Sequence, residues 1–126
     1  MKKLLIIDDD KNILEIFQDS LEDFKNLEIT TALSGDLAKA LLEKNAYDLV
    51  ISDILIPGIN GLEIINFIRE NFPKTKVIAC SGGGESGSIL AGIALDQAID
   101  QGALSALMKP FTTEELRKKV VDTLKL

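Results

Sequence analysis

The feature that most constrains this chain is a set of short apolar runs, each too brief for a helix and each stopping abruptly at a charged or hydroxyl side chain. Lys3 to Ile7 runs into Asp8, Asp9 and Asp10, and Leu49 to Ile51 delivers Ser52 and Asp53. Val77 to Cys80 ends at Ser81, and Leu104 to Met108 ends at Lys109 and Pro110. Runs of this kind, without alternation, read as central parallel strands buried on both faces. Leu27 to Ala32 is a fifth, β-rich segment.

Helical patterns fill the gaps. Ile13, Leu14, Phe17, Leu21 and Phe24 fall on one face, with Asp10 as the cap. Ser34 opens a helix to about Asn45 with Leu37, Leu41 and Leu42 inward, and a third runs from about Gly61 to Asn71 on Leu62, Ile65 and Ile68. A fourth spans about Ile89 to Gln101 and stops at Gly102; the last starts near Thr113 with Leu116, Val120 and Leu124 as its stripe. Asn60 with Glu63, and Thr112 with Glu115, have the spacing of capping boxes. Pro57 and Gly58 punctuate the loop after Asp53, and Gly82 to Ser88 reads as a glycine-rich flexible loop. It is not a phosphate-binding loop of the lysine-containing kind, because Ser88 stands where the lysine must be.

Strands alternating with helices through right-handed crossovers give an α/β fold with a doubly wound five-stranded parallel sheet. At 126 residues the chain reads as one domain, 1–126. Ligands of such sheets bind at the carboxyl ends of the strands. Asp8, Asp9, Asp53, Ser81 and Lys109 are therefore expected in one small site.

Composition narrows the chemistry. A net charge of −6 without a basic cluster argues against direct nucleic-acid binding, which needs grouped Lys or Arg. No apolar run approaches a membrane span and no cleavable leader pattern follows Lys2 and Lys3, so a cytoplasmic location is expected, with no membrane partner. With no His and one Cys, disulfides, histidine bases and nitrogen-ligated zinc drop out. Carboxylates, lysine, hydroxyls and a hard metal ion remain.

Crowded carboxylates repel by roughly 4 kcal/mol per close pair at an intermediate dielectric, so the cluster calls for a cation. All-oxygen ligands in an open site suit Mg²⁺. The metal and Lys109 would gather the charge of a transferring phosphoryl group, and the Ser81 hydroxyl could donate to another of its oxygens. Asp53, alone at the tip of the central strand, is the chosen nucleophile.

On the residues IIDD ending at Asp9, SDILIPGINGLE around Asp53, VIACS ending at Ser81 and MKPF around Lys109, the chain resembles the receiver domains of two-component response regulators. It is most similar to the stand-alone kind typified by the chemotaxis regulator. The resemblance implies a flavodoxin-like three-layer sandwich with strand order 2-1-3-4-5. It implies that Asp53 accepts a phosphoryl group from a sensor histidine kinase, a phosphotransfer protein or a small phosphodonor. Asp9, Asp53 and the Leu55 carbonyl would bind Mg²⁺ directly, Asp8 would hold a metal-bound water, and Ser81 and Lys109 would contact phosphoryl oxygens. The Lys109–Pro110 bond would be cis. A signalling role follows, with an output protein as partner, no enzymatic turnover beyond self-phosphorylation and self-dephosphorylation, and a monomeric or weakly dimeric state.

Several positions depart from the family's habit. Ile56 replaces a methionine, and Gly82 replaces a small alanine, which is expected to add backbone freedom beside Ser81. Ala106 stands where an aromatic switch residue is common, and the Ser81–Lys109 stretch is longer than usual. Transmission is therefore expected through Ser81 and the Gly82–Gly102 segment. Two other function classes compete: an aspartyl phosphohydrolase of the haloacid-dehalogenase type, using Asp8 and Asp10 with Ser52 or Ser81 and Lys109, and a pseudo-receiver that binds partners without phosphorylation.

Overall fold

The computed structural model describes residues 1–54, 60–82 and 87–126, and for 87–91 the backbone alone. Strands and helices alternate throughout: β1 (Lys2–Ile7), α1 (Lys11–Leu21), β2 (Leu27–Ala32), α2 (Gly35–Lys44), β3 (Leu49–Asp53), α3 (Gly61–Asn71), β4 (Lys76–Gly82), α4 (Gly87–Gln101), β5 (Ser105–Lys109) and α5 (Thr113–Leu124). The strands form one parallel sheet in the order β2-β1-β3-β4-β5, as the sequence predicts.

Strand parity divides the core in two. Leu4, Ile6, Leu49, Ile51, Ile78, Cys80 and Leu107 face Leu14, Phe17 and Leu21 of α1 and Leu116, Val120 and Leu124 of α5. Their alternates, among them Leu5, Ile7, Val50, Val77 and Ala79, face α2, α3 and α4. Burying a Leu or Ile side chain contributes about 1.5–3 kcal/mol, whereas a helix cap contributes about 1. With Leu4, Leu5, Ile6, Leu49, Val50 and Ile78 all at 0% exposure, the sheet dominates the energetics and the caps set boundaries.

The caps fall where the sequence places them. Asp10, Ser34, Asn60 and Thr112 accept from the backbone N–H of Asn12, Leu37, Glu63 and Glu115 at 2.9, 3.2, 3.0 and 3.1 Å. At α3 the return half of the box differs from expectation: Asn60 Nδ2 donates to Glu63 Oε1 at 3.1 Å, so side chain meets side chain. Gly102, at φ +126°, follows α4.

Several expectations are corrected. Leu42 is buried as expected, but Leu37 is 47% exposed and Ala38 turns inward in its place, because a small residue lets the helix lie close to the sheet. In α3, Ile64 is buried along with Ile65 and Ile68, while Leu62 is only half-buried. Phe24 lies beyond the end of α1 and packs at its margin. Gly82 is a strand residue, Leu104 precedes β5 and is 58% exposed, and α4 starts at Gly87, earlier than periodicity suggests. The turn at Pro57–Gly58, the Leu55 carbonyl, Ile56 and the center of the glycine-rich loop, 83–86, lie outside the described residues.

Candidate functional site

Three strand tips supply the site. Asp8 directly follows β1, Asp53 closes β3 and Lys109 closes β5. Parity gives Asp8 the side of Leu4 and Ile6, Asp53 that of Leu49 and Ile51, and Lys109 that of Leu107, so all three project on the α1/α5 side of the sheet. Ser81, buried at 1% exposure, shares parity with Val77 and Ala79 and belongs to the opposite side of the β4 tip. The structure thus brings Asp8, Asp9, Asp53 and Lys109 together and places Ser81 across the strand end from them.

The Lys109 ammonium donates to Asp8 Oδ2 and to Asp53 Oδ2, each at 2.7 Å. Both acids are nearly buried, at 1% and 8% exposure, and Asp9 beside them is exposed. Burial opposes the lysine's charge, but hydrogen bonds and charge from Asp53 and Asp8 outweigh it and raise its pKa. Cys80, the register partner of Asp53, sits beneath this cluster. Burial pushes its thiol up to about 12 despite the nearby Lys109, as befits a small apolar core residue.

Asp8 has both oxygens engaged. Oδ2 holds Lys109, and Oδ1 accepts from Asp10 N at 3.0 Å. Asp10 in turn caps α1 with its own carboxylate, so it serves the helix and lies outside the acidic cluster. Ser52 Oγ is also occupied, donating to the Asp53 carbonyl at 3.0 Å. Asp10 and Ser52, both named for the phosphohydrolase alternative, are thus engaged locally, while that alternative's Asp8 and Lys109 are in contact.

One carboxylate oxygen from each of Asp8, Asp9 and Asp53 lies within 4.8 Å of the others. Among the described residues, three acids against one lysine leave the pocket net negative, and the three acids offer only hard oxygens. That donor set fits Mg²⁺ better than a softer ion.

Gly61 also builds the site, which sequence reading missed by treating it only as a helix start. A Cβ there would lie 2.5 Å from the Asp53 carbonyl oxygen and from Ile54 Cα, and Gly61 N donates to Ile54 O at 3.0 Å. Only glycine lets α3 press against the end of β3. The Asn60–Gly61 pair was the available signal. The Lys109–Pro110 bond is cis, as the resemblance implies.

Fold and pocket define a class: flavodoxin-like α/β proteins with a lysine-bridged acidic pocket at the carboxyl edge of the sheet. Within that class, residues 4–121 match the family described as response regulator receiver domain, and the chain belongs to it. It is 34% identical over 122 residues to the response regulator ArlR of Staphylococcus saprophyticus, covering 95% of this chain and 51% of ArlR. It is 30% identical over 125 residues to the response regulator protein PilR of Pseudomonas aeruginosa, covering 99% of this chain and 26% of PilR. The chain therefore spans about half of one relative and a quarter of the other. Among solved structures, the receiver domain of NtrX from Brucella abortus superposes with a TM-score of 0.84 at 28% identity, covering 97% of this chain and 98% of that one. A two-component response regulator from Clostridium difficile gives 0.85 at 26%, covering 99% and 97%. Receiver domains of this family serve two-component phosphorelay signalling. Among the described residues, no helix is long and apolar enough to cross a membrane.

Proposed function

We propose that residues 1–126 act as a receiver domain whose Asp53 carboxylate takes a phosphoryl group from the phosphohistidine of a sensor kinase or phosphotransfer protein, or from a small phosphodonor. The observation that carries this reading is the Lys109 ammonium held 2.7 Å from both Asp8 and Asp53 beside a third acid. An Asp53 oxygen attacks phosphorus, the donor's P–N or P–O bond breaks, and an acyl phosphate forms while the leaving group departs with the bond's electrons. Lys109 is placed to follow the charge from the Asp53 carboxylate to the new phosphoryl oxygens. Asp9 and Asp53, with the Leu55 carbonyl, are the proposed direct ligands of Mg²⁺, which when bound offsets the acids and the incoming phosphoryl charge. Asp8, already committed at both oxygens, fits a role through a metal-bound water. Ser81 is the proposed donor to a phosphoryl oxygen from the far side of the β4 tip.

The test is intact mass after acetyl phosphate with Mg²⁺. The wild type gains one phosphoryl group and Asp53→Asn gains none. Label that persists in Asp53→Asn but disappears in Asp8→Asn would instead identify the phosphohydrolase chemistry.

The output step we propose is an inward pull on Ser81 that shifts the 82–102 segment and alters a face that binds the output protein. Ala106 leaves this segment without the aromatic partner common in the family. Beryllium fluoride with Mg²⁺ is expected to move NMR resonances from Ser81 through α4; shifts confined to the acid pocket would refute this route.

A further inference from the structure

At the end of the sheet opposite the acids, a cleft of about 180 Å³ opens between the start of β1, the adjoining part of β2 and the end of α2. Its walls are Lys3, Glu28, Thr30, Leu41, Asn45 and Tyr47. Tyr47 is only 7% exposed, and its ring belongs to the core on the α2 side. Its backbone carbonyl accepts from Thr75 Oγ1 at 2.7 Å, but its phenol has no hydrogen-bond partner among the described residues. Every fully enclosed side-chain nitrogen or oxygen among those residues does have one, so the phenol must reach open space. The cleft is the space that Tyr47 lines. A nearly buried phenol ordinarily finds a partner, and here a guest in the cleft would supply it.

The other walls carry both signs of charge. Lys3 and Glu28 are register partners on β1 and β2, and their charged ends meet at 3.8 Å with side-chain exposures of 46% and 54%. An exposed pair this loose is weak and parts readily. Asn45 spends its Nδ2 on the Leu41 carbonyl at 3.2 Å, which leaves Oδ1 as an acceptor, and Leu41 itself is a partly buried apolar wall. The volume equals that of about six water molecules, too little for a nucleotide. We propose that this cleft binds a small α-amino acid with an aliphatic side chain. Its carboxylate takes hydrogen bonds from Lys3 and Tyr47, its ammonium donates to Glu28 and Asn45, and its side chain lies on Leu41. An anion alone would meet Glu28, and a cation alone would meet Lys3. The site goes beyond the phosphoacceptor reading of Asp53 and does not depend on it.

The probe is L-valine, titrated into the full chain beside isovalerate and isobutylamine, which keep its branched skeleton but lack the amine or the carboxylate. Backbone amide resonances report binding. Valine is expected to shift those of Thr30, Leu41, Asn45 and Tyr47 and to saturate with a Kd of about 1 mM or tighter. Each single-charge analogue should bind about tenfold or more weakly. Tyr47→Phe keeps the ring in the core and removes only the hydroxyl, so it should stay folded and weaken valine by about fivefold. Glu28→Gln should weaken valine by about tenfold while isovalerate binds at least as well as before.

No saturable shift by about 20 mM valine overturns the proposal. Isovalerate that binds as tightly as valine overturns it as well, as does a folded Tyr47→Phe that binds valine like the wild type. Shifts centred on Asp53 and Lys109, with Thr30 and Tyr47 unmoved, would put the ligand at the acid pocket and equally refute the site.

Discussion

Two ion-pair clusters stand on the same side of this sheet and behave as opposites. In the pocket, one lysine faces two acids, and the side-chain exposures are 17% for Lys109, 2% for Asp8 and 10% for Asp53. Between α1 and α5, Arg117 meets Asp23, at exposures of 33% and 67%. Arg117 forks onto both Asp23 oxygens at 2.6 and 3.2 Å, donates to Ser20 O at 2.8 Å and lies 4.2 Å over the Phe24 ring. That cluster is balanced in charge and its donors are committed, so it fastens two helices. The pocket is unbalanced and its bridging pair of acids is largely buried, which is poor for stability.

The contrast is broken most strongly at Lys109. In the absence of metal, Lys109→Ala is expected to cost about 3–5 kcal/mol in urea unfolding, because two buried acids lose the ammonium that bridges them. Mg²⁺ should return more stability to that variant than to wild type. Asp53→Asn should do the reverse, leaving metal-free stability unchanged or raised by about 1 kcal/mol while shrinking the gain from Mg²⁺. If both substitutions destabilise alike, the pocket is an ordinary structural ion pair and the contrast is wrong.

A smaller effect tests the helix clasp. The Arg117 hydrogen bond holds the Asp23 carboxyl below its ordinary value of 3.8, against a weaker upward push from burial. A lowered folded-state pKa stabilises fully above that ordinary value and loses its contribution as pH falls through the folded one. The melting-temperature gap between wild type and Asp23→Asn should therefore be constant from neutral pH down to about pH 4 and close below it. A gap that persists in acid would mean that packing of Arg117 on Phe24, and not charge, makes the clasp.

The clasp was invisible in the sequence, and the reason is physical. Asp23 and Arg117 are 94 residues apart, and Phe24 fits the helical stripe of α1 although it falls past the helix end. The strands were legible because both faces are buried, so apolar runs and polar tips mark them directly. The pocket acids and Lys109 were legible for the same reason. What failed was inference from side-chain size. Leu37 looked like core and Ala38 did not, yet close helix-to-sheet packing favours the small residue. Gly61, read only as a helix start, and Gly82, read as added freedom, were missed in a related way. A glycine in a string of letters suggests looseness, and only coordinates reveal which neighbour occupies the vacated volume.

The strand order carries a further consequence for biosynthesis. Asp8 and Lys109 are 101 residues apart and Asp53 and Lys109 are 56 apart, and their meeting requires strands from both ends of the chain to share one sheet. A polypeptide emerging from the ribosome holds its acids long before its lysine, and a product cut short of the fifth strand holds them permanently without it. A molecule without its fifth strand thus carries two buried acids that no Lys109 bridges.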